Sequence, residues 1–362
     1  MIHEKIVIVS GTRPEIIKVA PIIRKLIDRK INFKFIYSGQ HYDHRLSTQI
    51  INDLELPIPD FSLKLKSKTP ASQIAEIMTN LADQLGKKDD AVIVQGDTNS
   101  VLATSLLAVK LKRKIAHIEA GLRSFDWRMP EEHNRRMVDH ISDFLFAPTR
   151  NSYQNLIDEN VSGKIYISGN TVMDAIKEHL PFSKKKSTIL QNVKFSEYVL
   201  ATFHRAENVD DEKVLNNIIK GIISAKIPTI ISLHPRTRKM LKKFSLLKKL
   251  ENSEHIQILN PQGYLDFLAL MKGCQFILTD SGGIQEENTS PLLSKRVLVL
   301  RKSSERPEAI DLGVASLIPL KYQKIREAVL REWDAKRMKI KTSPYGSGNS
   351  ADKILNVLEK HL

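Results

Sequence analysis

Short apolar runs alternate with helical patterns of apolar residues along the whole chain. Near its middle, the run Ala91–Gln95 is apolar and ends at a glycine, and a helix-period pattern follows Asp97. A second apolar run, Ile115–Ile118, ends in Glu119. Continuous apolar runs of this length are typical of strands buried in a parallel sheet. Their alternation with helices predicts an α/β fold built from doubly wound parallel sheets.

Carboxylates from two strand ends and one helix start are predicted where ligands of such a sheet bind. Asp97 and Glu119 each follow a strand, and Pro130 opens a helix with Glu131 and Glu132 in its first turn. Ligands of open α/β sheets bind in the crevice beyond the carboxyl ends of the strands. Acidic groups directed at that crevice indicate proton-transfer chemistry.

Each of these acids alone also fits a structural role. Asp97 is placed to cap the helix that follows it. Glu131 and Glu132 complement the dipole at the start of their helix. Glu119 precedes a glycine turn and has no helix of its own to cap, so it is the best candidate for catalysis.

The pattern predicts two domains. A first sheet of about six strands is expected before residue 170, with Pro57–Pro70 as a linker and Ser72–Leu85 as a helix. A lysine run, Lys184–Ser187, is the predicted linker zone, and a second α/β pattern follows it. We predict an N-terminal domain of residues 1–170, on which the helix 346–362 packs back, and a C-terminal domain of residues 171–345.

The predicted strands of the second half end in groups that suit a ligand. Two of them end at His204 and His234, and a third leads into Ser281-Gly282-Gly283. Two glycines let a backbone approach a ligand closely, and the following helix start favours a diphosphate. Glu287 is placed to bind both hydroxyls of a ribose, and Arg306 supplies positive charge.

The first strand leads into a turn that lacks the dinucleotide fingerprint. Gly11 is its single glycine, and the next strand ends in Ser38-Gly39-Gln40 without an acid for a ribose hydroxyl. An NAD site is therefore not expected. Arg13 and Lys18 fit either a phosphate contact or a solvated first helical turn.

Composition narrows the class of protein. A chain of 362 residues has room for two cores. Cys274 is the single cysteine, so no intramolecular disulfide can form. The apolar run Ile6–Val9 is too short for a signal peptide, and no run is long enough for a membrane span, so we predict a cytoplasmic protein.

The formal charge of +15 raises the possibility of nucleic-acid binding. The basic clusters, however, lack regularly interleaved aromatic residues, and aromatic content is only 6%. A solvated basic surface that also attracts an anionic small molecule is the preferred interpretation. We predict neither a nucleic-acid nor a membrane partner.

Taken together, six motifs resemble those of the non-hydrolysing UDP-N-acetylglucosamine 2-epimerases. They occur in the family's order and cover essentially the whole chain. The motifs are Gly11-Thr12-Arg13-Pro14-Glu15, Gln95-Gly96-Asp97-Thr98, His117–Arg123, Pro130-Glu131-Glu132, Gly169-Asn170-Thr171 and Thr279–Glu287.

The resemblance implies a glycosyltransferase-B-like fold of two Rossmann-like domains with the active site between them. It implies interconversion of UDP-N-acetylglucosamine (UDP-GlcNAc) and UDP-N-acetylmannosamine (UDP-ManNAc), by elimination and re-addition of UDP through 2-acetamidoglucal. It implies no cofactor, neither NAD nor a metal. A homodimer that supplies ManNAc for surface polysaccharides is also predicted.

The resemblance also assigns residues. Those matching the family's catalytic groups are Asp97, Glu119, Glu131 and His204. Those matching positions around the substrate, its phosphates and its uridine are Arg13, Lys18, His234, Gln262, Phe267, Ser281, Gly282, Gly283, Glu287 and Arg306. Which carboxylate removes the C2 proton stays open.

The chain departs from the family pattern in three places. Residues 288–295 replace a shorter segment, Ala206 replaces an arginine, and Asp43 stands where many bacterial members have glutamine. The region of Asp43 is linked in the family to a second, activating UDP-GlcNAc, and Asp43 and Ala206 together lead us to predict weak or absent activation by UDP-GlcNAc. The alternatives are an epimerase of a modified UDP-sugar such as UDP-2,3-diacetamido-glucuronate, a hydrolysing epimerase, a glycosyltransferase of the same fold, and a UDP-sugar-binding regulator.

Overall fold

A computed structural model describes residues 6–40, 44–67, 69–85 and 91–362 of the chain, without the side chains of residues 44–48. The chain divides into two compact units, Met1–Glu178 together with Tyr345–Leu362, and His179–Pro344. His41, Tyr42 and Asp43 lie outside the described residues. Within the described ranges, no helix has the length and apolar character that crossing a membrane requires.

The first unit contains a parallel sheet of seven strands within the described residues. The strands are β1 Ile6–Ser10, β2 Phe33–Tyr37, β3 Phe61–Ser62, β4 Ala91–Gln95, β5 Lys114–Ile118, β6 Phe144–Ala147 and β7 Lys164–Ile167. The helices are α1 Arg13–Asp28, α2 His44–Asp53, α3 Pro70–Leu81, α4 Asn99–Lys110, α5 Pro130–Ile141, α6 Arg150–Asp158 and α7 Thr171–Lys186, which continues into the second unit. Every residue of β1 and β4 is buried, as expected for strands covered on both faces.

The second unit contains a parallel sheet of six strands. The strands are β8 Val199–Thr202, β9 Thr229–Ser232, β10 Ile256–Leu259, β11 Ile277–Thr279, β12 Val297–Val299 and β13 Ala315–Leu317. A 3₁₀ turn at Ile189–Asn192 precedes the helices α8 Ala206–Val209, α9 Glu212–Ala225, α10 Pro235–Lys243, α11 Leu247–Glu251, α12 Tyr264–Gly273, α13 Gly282–Glu287, α14 Pro307–Asp311 and α15 Tyr322–Trp333, and α16 Ser350–His361 returns to the first unit.

Both sheets have the same kind of strand order. The first runs β3-β2-β1-β4-β5-β6-β7, and the second runs β10-β9-β8-β11-β12-β13. The order reverses between β1 and β4 in one sheet and between β8 and β11 in the other. Ligands of doubly wound sheets bind beyond the strand ends at such a switch point. The residues that follow β1, β4, β8 and β11 are therefore the first candidates for a site.

Two predicted linkers are wrong. Pro57–Pro70 contains β3, which pairs with β2 and extends the first sheet to seven strands. The lysine run Lys184–Lys186 forms the last turn of α7. Lysines are good helix formers and are favoured near a helix C-terminus, where their charge complements the dipole, so the run continues the helix.

The last helix packs on the first. Arg29, the C-cap residue of α1, donates to Asp352 at 2.6 Å and to Glu359 at 3.0 Å, and the α16 residues Ile354, Leu355 and Leu358 are fully buried. Helix α16 thus closes the first unit with a segment from the far end of the chain.

Candidate active site

Glu119 lies buried at the carboxyl edge of the first sheet, directly after β5. Its side chain is 4% exposed, and both of its carboxylate oxygens lie 2.7 Å from Lys18 Nζ. The Gln95 amide donates to it as well, and Asn170 Nδ2 lies 3.4 Å from Oε1. These donors fit an ionised carboxylate, which only accepts. Lys18, assigned by resemblance to the substrate, is placed against Glu119.

The backbone of Glu119 is held in an uncommon conformation. Its φ is +73°, in the left-handed region that side chains other than glycine rarely adopt. The N–H groups of Glu119 and Ala120 both donate to the Phe146 carbonyl, at 3.1 and 3.2 Å. Such strain costs on the order of 1 kcal/mol or more and often marks a functional position.

Asp97 follows β4, the neighbour of β5. Its carboxylate accepts from Arg135 Nη2 at 2.6 Å and from Nε at 3.1 Å, and its side chain is 27% exposed. Helix α4 is capped by Thr98, whose hydroxyl accepts from the Val101 N–H. The structural alternative for Asp97 as the cap is therefore wrong, and its carboxylate is positioned by α5 instead.

The two glutamates at the start of α5 have different surroundings. Glu132 is fully buried, accepts from the backbone N–H and hydroxyl of Ser124 at 2.9 Å, and pairs with Arg135 at 2.8 Å. Burial by itself would raise the pKa of Glu132, but these hydrogen bonds and the charge of Arg135 lower it. Glu131 is exposed. Glu132 thus anchors the loop before α5, while Glu131 stays at the surface.

A buried cluster of charged side chains lies next to the turn that carries Asp97, and the sequence motifs did not predict it. Asp139 accepts from His117 Nδ1 at 2.7 Å and pairs with Arg123 at 2.8 Å, while His117 Nε2 lies 2.8 Å from the Gly96 carbonyl. Burial would raise the pKa of Asp139, yet the hydrogen bond and charge of His117 and the charge of Arg123 lower it. A carbonyl and an ionised carboxylate both accept, so the His117 ring ties Gly96 to α5. The cluster fixes the turn that carries Asp97.

Glu15 is a further buried carboxylate, at the switch point of the first sheet. It accepts from the Gly11 N–H at 2.6 Å and from the Thr12 hydroxyl at 2.9 Å. Burial raises the pKa of Glu15 to about 7 against the hydrogen bonds from Gly11, Thr98 and Thr12, and the charge of Asp97 adds to the rise. Sequence reasoning treated Glu15 only as part of a motif, because its burial depends on the neighbouring turn.

Asp280 organises the switch point of the second sheet. Its carboxylate accepts from the backbone N–H of His204 at 3.0 Å and of Arg205 at 3.0 Å, and from Asn208 Nδ2 at 2.9 Å. His204 Nδ1 lies 3.4 Å from Asp280, and the His204 and His234 rings are 5.3 Å apart. The two histidines predicted from separate strands are thus brought together, with Asp280 beneath them.

Three arginines surround one carboxylate after β12. Glu305 pairs with Arg301 at 2.6 Å, with Arg205 at 3.5 Å and with Arg306 at 4.0 Å. Burial would raise the pKa of Glu305, but the charges of Arg306, Arg301 and Arg205 lower it strongly. Arg306 also pairs with Glu286. Three guanidinium groups and two buried glutamates thus lie together near the carboxyl edge of the second sheet.

The two glycines after Ser281 are in different surroundings. A Cβ on Gly282 would lie 2.5 Å from Glu305 Oε1, so a larger residue there would displace the carboxylate that the arginines surround. A Cβ on Gly283 would meet nothing within 4 Å. Only Gly283 therefore faces open space, as the predicted close approach of a ligand needs.

The remaining assigned residues lie at separate positions along the chain, Arg13 in the first unit and the others in the second. Arg13 is half-buried at the start of α1, and Glu287 is half-buried at the end of α13. Gln262 donates to the Asn260 carbonyl at 2.7 Å, and Phe267 lies half-buried on α12.

Known proteins are similar in sequence to this chain over nearly its whole length. A family model described as UDP-N-acetylglucosamine 2-epimerase matches residues 24–359. The UDP-N-acetylglucosamine 2-epimerase of Methanocaldococcus jannaschii is 42% identical, over 98% of this chain and 98% of its own. The UDP-2,3-diacetamido-2,3-dideoxy-D-glucuronate 2-epimerase of Pseudomonas aeruginosa is 34% identical, over 98% of this chain and 99% of its own.

A solved structure of the same family is similar to this chain in fold as well as in sequence. The crystal structure of the Methanocaldococcus jannaschii UDP-GlcNAc 2-epimerase in complex with UDP-GlcNAc and UDP has a TM-score of 0.91 and 42% identity, and covers 98% of this chain and 99% of that one. The prediction of Rossmann-like doubly wound sheets in a glycosyltransferase-B-like fold is confirmed. The chain belongs to the UDP-N-acetylglucosamine 2-epimerase family.

Proposed function

We propose that this protein interconverts UDP-GlcNAc and UDP-ManNAc by eliminating UDP and adding it back on the other face of a 2-acetamidoglucal intermediate. The observation that carries the proposal is the buried Glu119–Lys18 pair at the carboxyl edge of the first sheet, next to the strand that delivers Asp97. The relative with bound UDP-GlcNAc and UDP supports the substrate.

Inversion at C2 needs a group that removes a proton and a group that returns one. Glu119 is surrounded by donors, so it is suited to the ionised form that accepts a proton. Asp97 on the adjacent strand is oriented by the Arg135 guanidinium and stays partly open to solvent. In our proposal these two carboxylates and Glu131 divide the proton transfers, and the second unit adds the catalytic His204.

Departure of UDP needs positive charge and donors near the diphosphate. The second unit offers the adjacent His204 and His234 rings and the arginine cluster around Glu305. Preorganised cations stabilise the charge that develops on a leaving phosphate. We assign diphosphate binding to this edge, with the turn Ser281–Gly283 and Arg306, and uridine binding to Gln262, Phe267 and Glu287.

A second candidate substrate is a UDP-2,3-diacetamido-glucuronate. The Pseudomonas aeruginosa relative that bears this name is 34% identical over 98% of the chain, against 42% identity for the Methanocaldococcus jannaschii relative. The higher identity favours UDP-GlcNAc. A cytoplasmic homodimer that supplies ManNAc for polysaccharides stays a prediction, and light scattering would check the dimer.

The test is incubation of the purified protein with UDP-GlcNAc in D₂O, followed by NMR of the sugar. The proposed reaction yields UDP-ManNAc with deuterium at C2. A glycosyltransferase without an acceptor, or a binding protein, leaves C2 protonated, and a hydrolysing epimerase releases free ManNAc and UDP. Incubation of UDP-2,3-diacetamido-glucuronate in parallel separates the two substrates by their rates of deuterium incorporation.

A further inference from the structure

A cavity of about 530 Å³ lies in the second unit, apart from the residues assigned to the substrate. Its wall includes Gln275, just before β11, and Arg296, directly before β12. Ser281 and Arg301 follow the carboxyl ends of the same two strands. The cavity therefore lies at the amino edge of the sheet, opposite the edge where the diphosphate is assigned.

The lining of this cavity is strongly basic. Seven of its sixteen lining residues are Lys or Arg, and Glu332 is the single acid among them. Glu332 accepts from Arg296 Nη1 at 2.7 Å, so its charge is already matched by one guanidinium. The imbalance agrees with the whole unit, where 29 Lys and Arg against 17 Asp and Glu give +12 of the chain's formal +15.

Two lysines of the wall are held in place by backbone carbonyls, without a carboxylate partner among the described residues. Lys295 donates to the Cys274 carbonyl, and Lys272 donates to the Leu292 carbonyl. Burial lowers the pKa of Lys295, and the charges of Lys272 and Arg337 lower it further. Burial and the charge of Lys184 lower the pKa of Lys272. These cations repel one another, and a bound anion would relieve that repulsion.

The segment after α15 adds a row of positive charges, of which Arg337 also pairs with Glu197 at 3.4 Å. Arg337, Lys339 and Lys341 are exposed, whereas Met338 is half-buried and Ile340 is buried. The Ile340 N–H donates to Ser294 Oγ at 3.3 Å, which fastens the segment to the cavity wall. Alternate residues thus anchor the backbone and present cations at the cavity.

We propose that this cavity binds a small polyvalent phosphate anion. Its volume lies in the range of pockets that enclose small molecules, and Lys and Arg are the side chains that bind phosphate oxygens. A concave site of this size favours a compact anion over an extended nucleic-acid backbone. The site is independent of the proposed epimerisation, because it lies at the other edge of the sheet.

The test is isothermal titration of the full-length protein with inorganic triphosphate, with and without UDP. The cavity variant is Lys339→Gln/Lys341→Gln. Its matched control is Lys248→Gln/Lys249→Gln on α11, which removes the same charge from two exposed lysines of the same unit that do not line the cavity. We expect one triphosphate per chain, about tenfold or more weaker binding in the cavity variant, and less than a twofold change in the control. Epimerisation of UDP-GlcNAc should be unchanged in both variants.

Four results would overturn the proposal. An equal loss of triphosphate affinity in the cavity variant and the control would mean that the net charge of the unit alone attracts the anion. Displacement of triphosphate by UDP would place the anion in the substrate site. The absence of binding heat at millimolar triphosphate would show that the cavity does not bind this anion. The fourth result is a single-stranded RNA oligonucleotide that binds the wild type more tightly than the cavity variant, while triphosphate does not bind. The ligand of the cavity would then be a nucleic acid and not a small anion.

Discussion

Three carboxylates with different surroundings lie at or near the carboxyl edge of the first sheet. Glu119 is buried against Lys18, Asp97 is partly open and oriented by Arg135, and Glu131 is exposed at the start of α5. Burial and a fixed partner are what a catalytic carboxylate needs to keep one geometry. At the scale of the residue, Glu119 therefore has the surroundings best suited to proton transfer.

The amide substitutions Glu119→Gln, Asp97→Asn and Glu131→Gln keep the shape of each side chain and remove its charge. If these groups transfer protons or orient the group that does, each should slow turnover by roughly a hundredfold or more. The measurement is the epimerisation rate beside the melting temperature. A Glu119→Gln protein that melts at the wild-type temperature and epimerises at the wild-type rate would falsify the catalytic role of Glu119, the best candidate of the three.

The neighbour of Glu131 supplies a matched control. Glu132→Gln changes the same chemical group one residue away, but it removes the buried carboxylate that Ser124 and Arg135 contact. Breaking one partner of a buried ion pair costs about 3–5 kcal/mol. We expect Glu132→Gln to lower the free energy of unfolding far more than Glu131→Gln does, and equal losses would contradict the structural role of Glu132.

Glu15 should make stability depend on pH. Its folded pKa of about 7 lies above the ordinary glutamate value of 4.5, so the folded protein binds the proton more tightly than the unfolded chain between these values. The stabilisation is complete below about pH 4.5 and is lost as the pH rises through about 7. The loss is on the order of 3 kcal/mol, at about 1.4 kcal/mol for each pKa unit.

The measurement is urea unfolding of the wild type and Glu15→Gln from pH 4 to pH 8. Other titrating groups cancel in the difference between the two proteins, so the wild type should lose stability relative to the variant as the pH rises. A difference that stays constant across this range would show that Glu15 titrates normally. The amide of Gln can still meet Thr12, whose hydroxyl accepts as well as donates.

At the scale of the element, the turn from β11 into α13 should respond differently to the same change at its two glycines. Gly282→Ala places a Cβ 2.5 Å from Glu305 Oε1, which displaces the carboxylate that Arg301 and Arg306 share. Overpacking of this kind costs about 1–3 kcal/mol. We expect Gly282→Ala to lower both the melting temperature and the affinity for UDP.

Gly283→Ala is the matched control, because its Cβ meets nothing within 4 Å. Alanine is the better helix former, so the stability should stay equal or rise slightly. If Gly283 faces the diphosphate as proposed, UDP affinity should fall without a loss of stability. UDP titration and thermal melting separate the two variants, and identical behaviour of both would argue against the arginine cluster as the reason for Gly282.

At the scale of the whole molecule, the last helix completes a unit whose other residues end at Glu178. Leu355→Ala removes a fully buried side chain of α16, and such changes cost about 2–5 kcal/mol. Asp352→Asn removes only the partly exposed pairs with Lys25 and Arg29, which are worth less than about 1 kcal/mol. We expect unfolding in urea to show the larger loss for Leu355→Ala, and the reverse order would mean that charge rather than packing holds α16.

The sequence by itself determined the α/β class, the strands near the switch points and the family. Buried parallel strands are continuous apolar runs in sequence, so Ala91–Gln95 is predicted with the bounds that the structure has, and Ile115–Ile118 with the same end as β5. Residues that directly follow such strands, such as Glu119 and His204, could be named because the end of a strand is a local signal. The family could be identified because its motifs are short runs of neighbouring residues that occur in a fixed order along the chain.

Only the tertiary structure decided which of these side chains meet. Lys18 contacts Glu119 across 101 residues, and Asp97 contacts Arg135 across 38. The clusters around Asp139 and Glu305 combine groups from several elements, and no local pattern encodes that proximity. The burial of Glu15, which raises its pKa, likewise depends on turns that are distant in the chain. Local patterns specify strands and their ends, whereas charge pairing and burial arise only when parallel strands bring those ends to one edge.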